Sequence, residues 1–230
     1  MDFSRFDMRK YPTLDVQEGY REWVKTYEDT VQDVVDLRLL ARIRSIRWDQ
    51  VQQAVDLACG TGRIGVWLKQ RGVQYIDGVD LTAEMVEVAR AKGVYNHLLL
   101  NDILDTRLET ANYDLATMVL ADEHLSDVRP LYTEVARITH SHGYFVIVGY
   151  HPFFLMNGIP THFHRSTGEP MTIQCYVHLF SDHVQAALAV GWSLIEMYES
   201  LVDEECIARK PNWSRYMNWP ISFAMVWKKC

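Results

Sequence analysis

From Gln53 onward short apolar runs alternate with helical stretches, and this rhythm restricts the fold more than any other feature of the chain. QAVDLA, QYIDGVD and HLLLND end in small or acidic residues, YDLATMVL is followed by Ala121-Asp122, and YFVIVGY comes after them. Between them lie stretches with helical periodicity: Ile64 to Gln70, Ala83 to Ala91 with Met85, Val88 and Ala89 on one face behind a Thr82 cap, and a third near Leu131 to Thr139. Strands that are apolar on both faces and separated by helices form a parallel sheet covered on both sides. The predicted class is therefore α/β, with residues 51–150 as its core.

The remaining segments read differently. Residues 14–47 carry aliphatics and aromatics at helical spacing, which predicts one or two amphipathic helices inside an N-terminal cap of residues 1–50. Residues 151–181 are rich in proline, glycine and aromatics. A turn-prone Ser-Thr-Gly-Glu-Pro centre is flanked by hairpin-like runs, which predicts an inserted lid. A helix is expected to open at Ser181-Asp182 and end at Gly191. WSLIEMYESL and ISFAMVWKK then supply two more strands, so that residues 182–230 complete the core sheet. His142-Gly143 is expected to terminate the helix before YFVIVGY.

Composition narrows the function. A net charge of −7 gives no electrostatic reason to bind nucleic acid or an anionic membrane. The longest apolar run, Gly143 to Met156, contains His151 and Pro152 and is too short to span a bilayer. The four cysteines form no C-x-x-C pair, which fits a reducing, cytoplasmic setting. A small-molecule partner is expected, with the chain acting as a monomer or homodimer.

The loop after the first run, VDLACGTGRIG, carries glycines between a strand and a helix, an arrangement that brings backbone close to a ligand. An acidic residue, Asp56, precedes them. A carboxylate at that strand end would repel a pyrophosphate, so a cationic ligand without phosphate is favoured. Two further acids end the next two strands, Asp80 and Asp102. Gly65 completes a G-x-G-x-x-G pattern that is read here as coincidental.

These residues resemble the class I S-adenosylmethionine-dependent methyltransferases, whose first motif is approximately (D/E)-x-G-x-G-x-G. The chain has Asp56-Leu57-Ala58-Cys59-Gly60-Thr61-Gly62, with Ala58 in place of the first glycine. The resemblance implies a three-layer Rossmann-like fold with a seven-stranded, mostly parallel sheet in the order 3-2-1-4-5-7-6, the last strand antiparallel. It implies S-adenosylmethionine as cofactor and S-adenosylhomocysteine as product, with Asp80 on the ribose hydroxyls, Asp102 on the adenine amino group, and Leu81 and Ile103 on the two faces of the ring. YDLATMVLADEHL resembles the family's fourth segment, so that Leu120 and Ala121 pass near the methionine moiety. Met85 and the loop residues Ala58 to Gly62 join the cofactor set, and Tyr20 and Tyr27 close over the methionine end.

Methyl transfer depends mainly on alignment. If a general base is used, His124 and His151, after the fourth and fifth strands, are the candidates. Trp23, His151, Phe154, His162, His164, Tyr176 and His178 are the expected acceptor contacts. His162, His164, Cys175 and His178 could in principle ligate zinc, but their irregular spacing argues for no metal site. The favoured activity is methylation of a metabolite at oxygen or nitrogen. Three alternatives stay open: a protein substrate, a ligand-binding domain without catalysis, and a nicotinamide oxidoreductase, for which no Tyr-Lys pair is found.

Overall fold

The structure is a computed structural model that describes residues 1–31 and 33–230 of the 230-residue chain. Strands are β1 (Thr13–Leu14), β2 (Gln53–Leu57), β3 (Tyr75–Asp80), β4 (His97–Leu100), β5 (Tyr113–Val119), β6 (Thr139–Tyr150), β7 (His162–His164), β8 (Pro170–Ile173), β9 (Trp192–Leu201) and β10 (Pro220–Lys229). Helices are α1 (Val16–Trp23), α2 (Tyr27–Thr30), α3 (Leu37–Leu40), α4 (Arg63–Gln70), α5 (Ala83–Ala91), α6 (Arg129–Ile138), α7 (Pro152–Met156), α8 (Phe180–Leu188) and α9 (Glu204–Arg209).

Seven strands form one sheet in the order β4-β3-β2-β5-β6-β10-β9. The first five are mutually parallel, and β10 runs antiparallel to both β6 and β9. Counted along the sheet strands alone, this is the 3-2-1-4-5-7-6 order. The runs that read as continuously apolar are the central strands: β2 is buried from Ala54 to Leu57, and β10 from Ile221 to Trp227. One face of the sheet packs Leu131, Val135, Ala186 and Ala187 of α6 and α8 against Val55, Phe145 and Phe223. The other packs Leu39, Leu40, Trp67 and Leu68 of α3 and α4 against Ala54, Val146 and Ala224.

Two details differ from expectation. Helix α6 runs straight into β6 without a glycine stop, and His142, not Gly143, takes the left-handed conformation (φ 68°). The register between β5 and β6 shifts there, so the glycine belongs to a bulge: a Cβ on Gly143 would strike the Thr139 side chain. Residues 202–219, between β9 and β10, have no counterpart in the sequence reading. They form α9 and a 3-10 segment whose Val202, Cys206 and Tyr216 pack with Leu120, Phe154 and Ile159.

The N-terminal segment and the lid are joined. The β7–β8 hairpin predicted around Ser166 to Pro170 is present, and β1 adds to it in parallel, Thr13 opposite Thr172 and Leu14 opposite Ile173. Helix α1 lies against this small sheet at Gly19, where an added Cβ would press on the Ile173 side chain. Leu14, Trp23, Phe163, Met171 and Ile173 then form one apolar cluster between helix and hairpin. Among the described residues no helix is long and apolar enough to cross a membrane.

Candidate active site

The carboxyl ends of β2, β3 and β5 open onto a cleft of about 280 Å³. It is lined by Ala58 and Gly60 after β2, by Asp80, Leu81, Thr82 and Met85 after β3, and by Asp102, Ile103 and Leu104 after β4. Val119, Leu120, Ala121, His124, Leu125 and Ser126 line it after β5, and Val16, Tyr20 and Tyr27 come from the cap. Ligands of open α/β sheets bind at this edge.

The loop after β2 turns sharply. Gly60 (φ 52°) and Gly62 (φ 86°) adopt left-handed backbone that glycine takes without a Cβ penalty. Ala58 (φ 52°), where the related motif has glycine, and Leu120 (φ 56°), after β5, are also left-handed. Such a conformation costs a non-glycine residue roughly 1–2 kcal/mol, and both of these residues line the cleft. The carboxylate of Asp80 holds the loop from the next strand, with Oδ2 accepting from the Gly60 amide and Oδ1 from the Thr82 amide, each at 2.8 Å. Burial raises its pKa. Each oxygen still has a lone pair that can face a hydroxyl in the cleft. Exposed Asp102 accepts from the Leu104 amide at 2.8 Å, while Ile103 is buried beside it.

Asp56 acts elsewhere. It does not line the cleft: buried in β2, its Oδ2 accepts from the Tyr95 hydroxyl at 2.7 Å and its Oδ1 from the Thr117 hydroxyl at 3.0 Å. Burial pushes its carboxyl up to about 7. The Tyr95 ring reaches it through a slot left by glycines. A Cβ on Gly65 would collide with that ring, and one on Gly62 or Gly78 would come within 2.9 or 3.0 Å of it. Gly65 is therefore not coincidental, and the direct electrostatic role expected for Asp56 is corrected to an internal support. Cys59 and Thr61 are also buried outside the lining. They shape the turn while Ala58 and Gly60 face the cleft.

At the far end, Tyr20 donates its hydroxyl to His124 Nε2 at 2.8 Å, because His124 Nδ1–H donates to the Gln174 carbonyl of the lid at 2.7 Å and so fixes the tautomer. Burial lowers the imidazole to about 4 and raises the Tyr20 phenol well above its usual value. This pair is neutral across the physiological range. Next to it, Arg63 at the start of α4 pairs with Asp36 at 2.8 Å and Asp33 at 2.6 Å, tying the cap to the glycine loop.

Several expected acceptor contacts are taken up by packing. His151 accepts from the Phe153 amide through Nδ1 and donates through Nε2 to Glu199 at 2.7 Å, so both nitrogens are engaged as it caps α7 outside the cleft. Trp23 stacks on Phe163 with centroids 5.6 Å apart, and Phe154 packs against Tyr216 and Trp213. His162 donates to the Pro160 carbonyl and accepts from Arg9, and His164 is exposed. The Tyr176 amide donates to the Glu123 carbonyl at 2.6 Å, and its hydroxyl accepts from Gln174. His178 bonds the Leu125 carbonyl at 2.7 Å. Cys175 is buried with Phe3 and Val177. Among the described residues no three His, Cys, Asp or Glu side chains gather as a metal-ligand set.

Residues 55–147 match the family described as methyltransferase domain. Over this stretch the chain carries a methyltransferase domain, similar to those of the S-adenosylmethionine-dependent class. S-adenosylmethionine is the cofactor of these enzymes. The malonyl-[acyl-carrier protein] O-methyltransferase of Serratia marcescens is 32% identical over 92 residues, 40% of this chain and 36% of that protein. Ribosomal protein L11 methyltransferase of Thermotoga neapolitana is 30% identical over 103 residues, 42% of this chain and 36% of the relative. The chain thus spans little more than a third of these curated relatives. Over nearly its full length the methyltransferase fold recurs in a methyltransferase from Mesorhizobium loti, with a TM-score of 0.68 at 20% identity, covering 87% of this chain and 99% of that one.

Proposed function

We propose that this chain transfers a methyl group from S-adenosylmethionine to a small-molecule acceptor, at nitrogen or oxygen, by in-line displacement. The observation that carries the reading is the composition of the cleft. It places a buried acid at the end of β3, an exposed acid after β4 and left-handed backbone after β2 and β5 along one wall, and it ends in the Tyr20–His124 pair.

This lining fits the cofactor. Asp80 would accept from the ribose hydroxyls, Asp102 from the adenine amino group, and Leu81, Ile103 and Met85 would enclose the ring. No lysine or arginine is among the described residues that line the cleft, a lining that suits a phosphate-free cation better than a pyrophosphate. When bound, the cofactor supplies an activated methyl group on a sulfonium. Tyr20, Tyr27 and Leu120 would fix the direction of approach and exclude water, where alignment contributes roughly 7–11 kcal/mol.

Among the described residues His124 is the one histidine of the cleft lining, yet with its imidazole lowered to about 4 it is a weak base at neutral pH. It orients Tyr20 under the lid. The names of the relatives point to a protein-bound malonyl group and to a ribosomal protein. The family match, residues 55–147, takes in most of the strands whose ends line the cleft, and the cover outside it is where acceptor choice would reside.

Calorimetry with S-adenosylhomocysteine and NAD separates this reading from an oxidoreductase: the first is expected to bind and the second not to. Release of S-adenosylhomocysteine from S-adenosylmethionine in the presence of a metabolite mixture, absent without it, is the expected turnover. Uptake of NAD in preference to S-adenosylhomocysteine would overturn the reading.

A further inference from the structure

A second cavity, of about 390 Å³, lies in the cover and shares no described lining residue with the cleft. It opens where the N-terminal segment is tied to the lid at two places. The Phe3 amide donates to the Cys175 carbonyl at 3.2 Å, and the Thr172 and Gln174 amides donate to the Pro12 and Leu14 carbonyls at 2.8 and 2.9 Å. Thr172, Gln174 and Cys175 form its back, and Asp2, Asp7 and Asp15 stand around it from the N-terminal segment.

One side chain at the back is incomplete. Met171 and Ile173 of β8 turn into the apolar cluster with Trp23 and Phe163, so strand alternation turns Thr172 between them to the other face, where it lines the cavity. Thr172 is 2% exposed, and its Oγ1 has no hydrogen-bond partner among the described residues. A hydroxyl shut away from water in this state is costly unless a ligand completes it.

The three acids set the kind of ligand. Through Oδ1, Asp2 accepts from the Ser4 amide at 2.8 Å, Asp7 from the Arg9 and Lys10 amides at 2.9 and 3.0 Å, and Asp15 from the Glu18 amide at 2.8 Å. The second oxygens of Asp7 and Asp15 make no hydrogen bond among the described residues. Asp2 and Asp15 are exposed and Asp7 is half-buried, so a ligand reaches them from solvent. Burial pushes the Cys175 thiol up, and Glu123, Asp7 and Asp2 add to it, so the charges of two of these acids reach the back of the cavity. No lysine or arginine is among the described lining residues. Arg9 is turned to His162, and Arg5, outside the lining, adds to the larger effect of the Ser4 hydrogen bonds in lowering the Asp2 carboxyl. An anion would be repelled, and a neutral ligand would answer the hydroxyl but not the charge. The acids are also spread out: among the described residues no three His, Cys, Asp or Glu side chains gather as a metal-ligand set. A chain with a positive charge at each end serves them together, whereas one compact metal ion does not.

We propose that this cavity is a binding site for a small organic dication, a short diamine. One ammonium group donates to Thr172 Oγ1 at the back, and the two charges are shared among Asp2, Asp7 and Asp15. The ligand touches both the N-terminal segment and β8, so it holds β1 in place on the lid. Such a site is separate from methyl transfer and does not depend on it.

The test titrates putrescine, butylamine and magnesium chloride into the full chain by calorimetry. Putrescine is expected to bind at least about threefold more tightly than either of the other two. S-adenosylhomocysteine should leave its affinity within about twofold, because the two cavities share no described lining residue. Thr172→Val should weaken it by about tenfold, through loss of a bond from a charged donor, and Asp7→Asn by about threefold. Putrescine should also slow hydrogen exchange at the Gln174 amide, which donates to the Leu14 carbonyl beside the β1–β8 pairing. No binding of putrescine, equal affinity for butylamine or magnesium, displacement by S-adenosylhomocysteine, or a change of less than about twofold in a folded Thr172→Val protein overturns the proposal. If Thr172→Val does not fold, Asp7→Asn and the Gln174 amide decide: binding that the variant does not weaken and the amide does not register overturns it.

Discussion

The wall of the cleft and its cover are built by different means. The wall comes from the ends of adjacent parallel strands, so residues close in sequence, such as Asp80, Leu81 and Thr82, meet in space through the β-α-β unit. The cover is assembled from segments far apart in the chain: β1 beside β8, Trp23 on Phe163, Gln174 on His124. The wall is thus set by short motifs on a rigid sheet, whereas the cover depends on long-range packing that no local motif records.

Substitutions can break this contrast at either end. The largest expected effect is on ligand affinity in the wall. Asp80→Ala removes the acceptor facing the cleft and the bonds to the Gly60 and Thr82 amides, and S-adenosylhomocysteine affinity measured by calorimetry should fall by about 100-fold or more. Next is the glycine slot. Gly65→Ala should lower stability in urea by about 2–3 kcal/mol, because its methyl meets the Tyr95 ring. Adding Tyr95→Ala should cost much less in the Gly65→Ala background than in the wild type, since the collision is then gone. Equal costs in the two backgrounds would show that the slot is not what constrains Gly65.

A smaller effect belongs to the junction of the two regions. His124 is held at about 4 in the folded chain against an ordinary value near 6.5, so below pH 6.5 the unfolded state takes up a proton that the folded state refuses. Stability from this group is therefore lost as pH falls from about 6.5 toward 4, by roughly 2–3 kcal/mol. Comparing urea titrations of wild type and His124→Gln should show the wild type gaining that much relative to the variant between pH 4.5 and 7. The smallest effect is expected in the cover. His151→Gln should change S-adenosylhomocysteine affinity by less than about twofold, because His151 serves α7 and Glu199 outside the cleft.

Much of the wall was legible beforehand. The five apolar runs are β2 to β6, and Asp80, Leu81, Met85, Asp102, Ile103, Leu120, Ala121, Ala58 and Gly60 all line the cleft. Tyr20, Tyr27 and His124 reach it too. Asp56 could not be placed from spacing, because a strand residue next to a glycine loop can face either the opening or the interior. Tyr95 carries no motif of its own, and only the folded chain shows that its ring passes Gly62, Gly65 and Gly78. His151, Trp23, Phe154, His162, His164, Tyr176 and His178 were grouped by composition of the lid. Their partners, among them Glu199, Phe163, Arg9 and Leu125, lie far from them in sequence or on other elements, so their packing and capping roles were invisible until the chain folded.

The hairpin of the lid is finished by a strand from the opposite end of the polypeptide. Closing so long a loop carries an entropic penalty that the contacts of the roof must offset. The roof and the floor are thus separate sheets, and only the roof needs both ends of a loop of more than a hundred residues to meet.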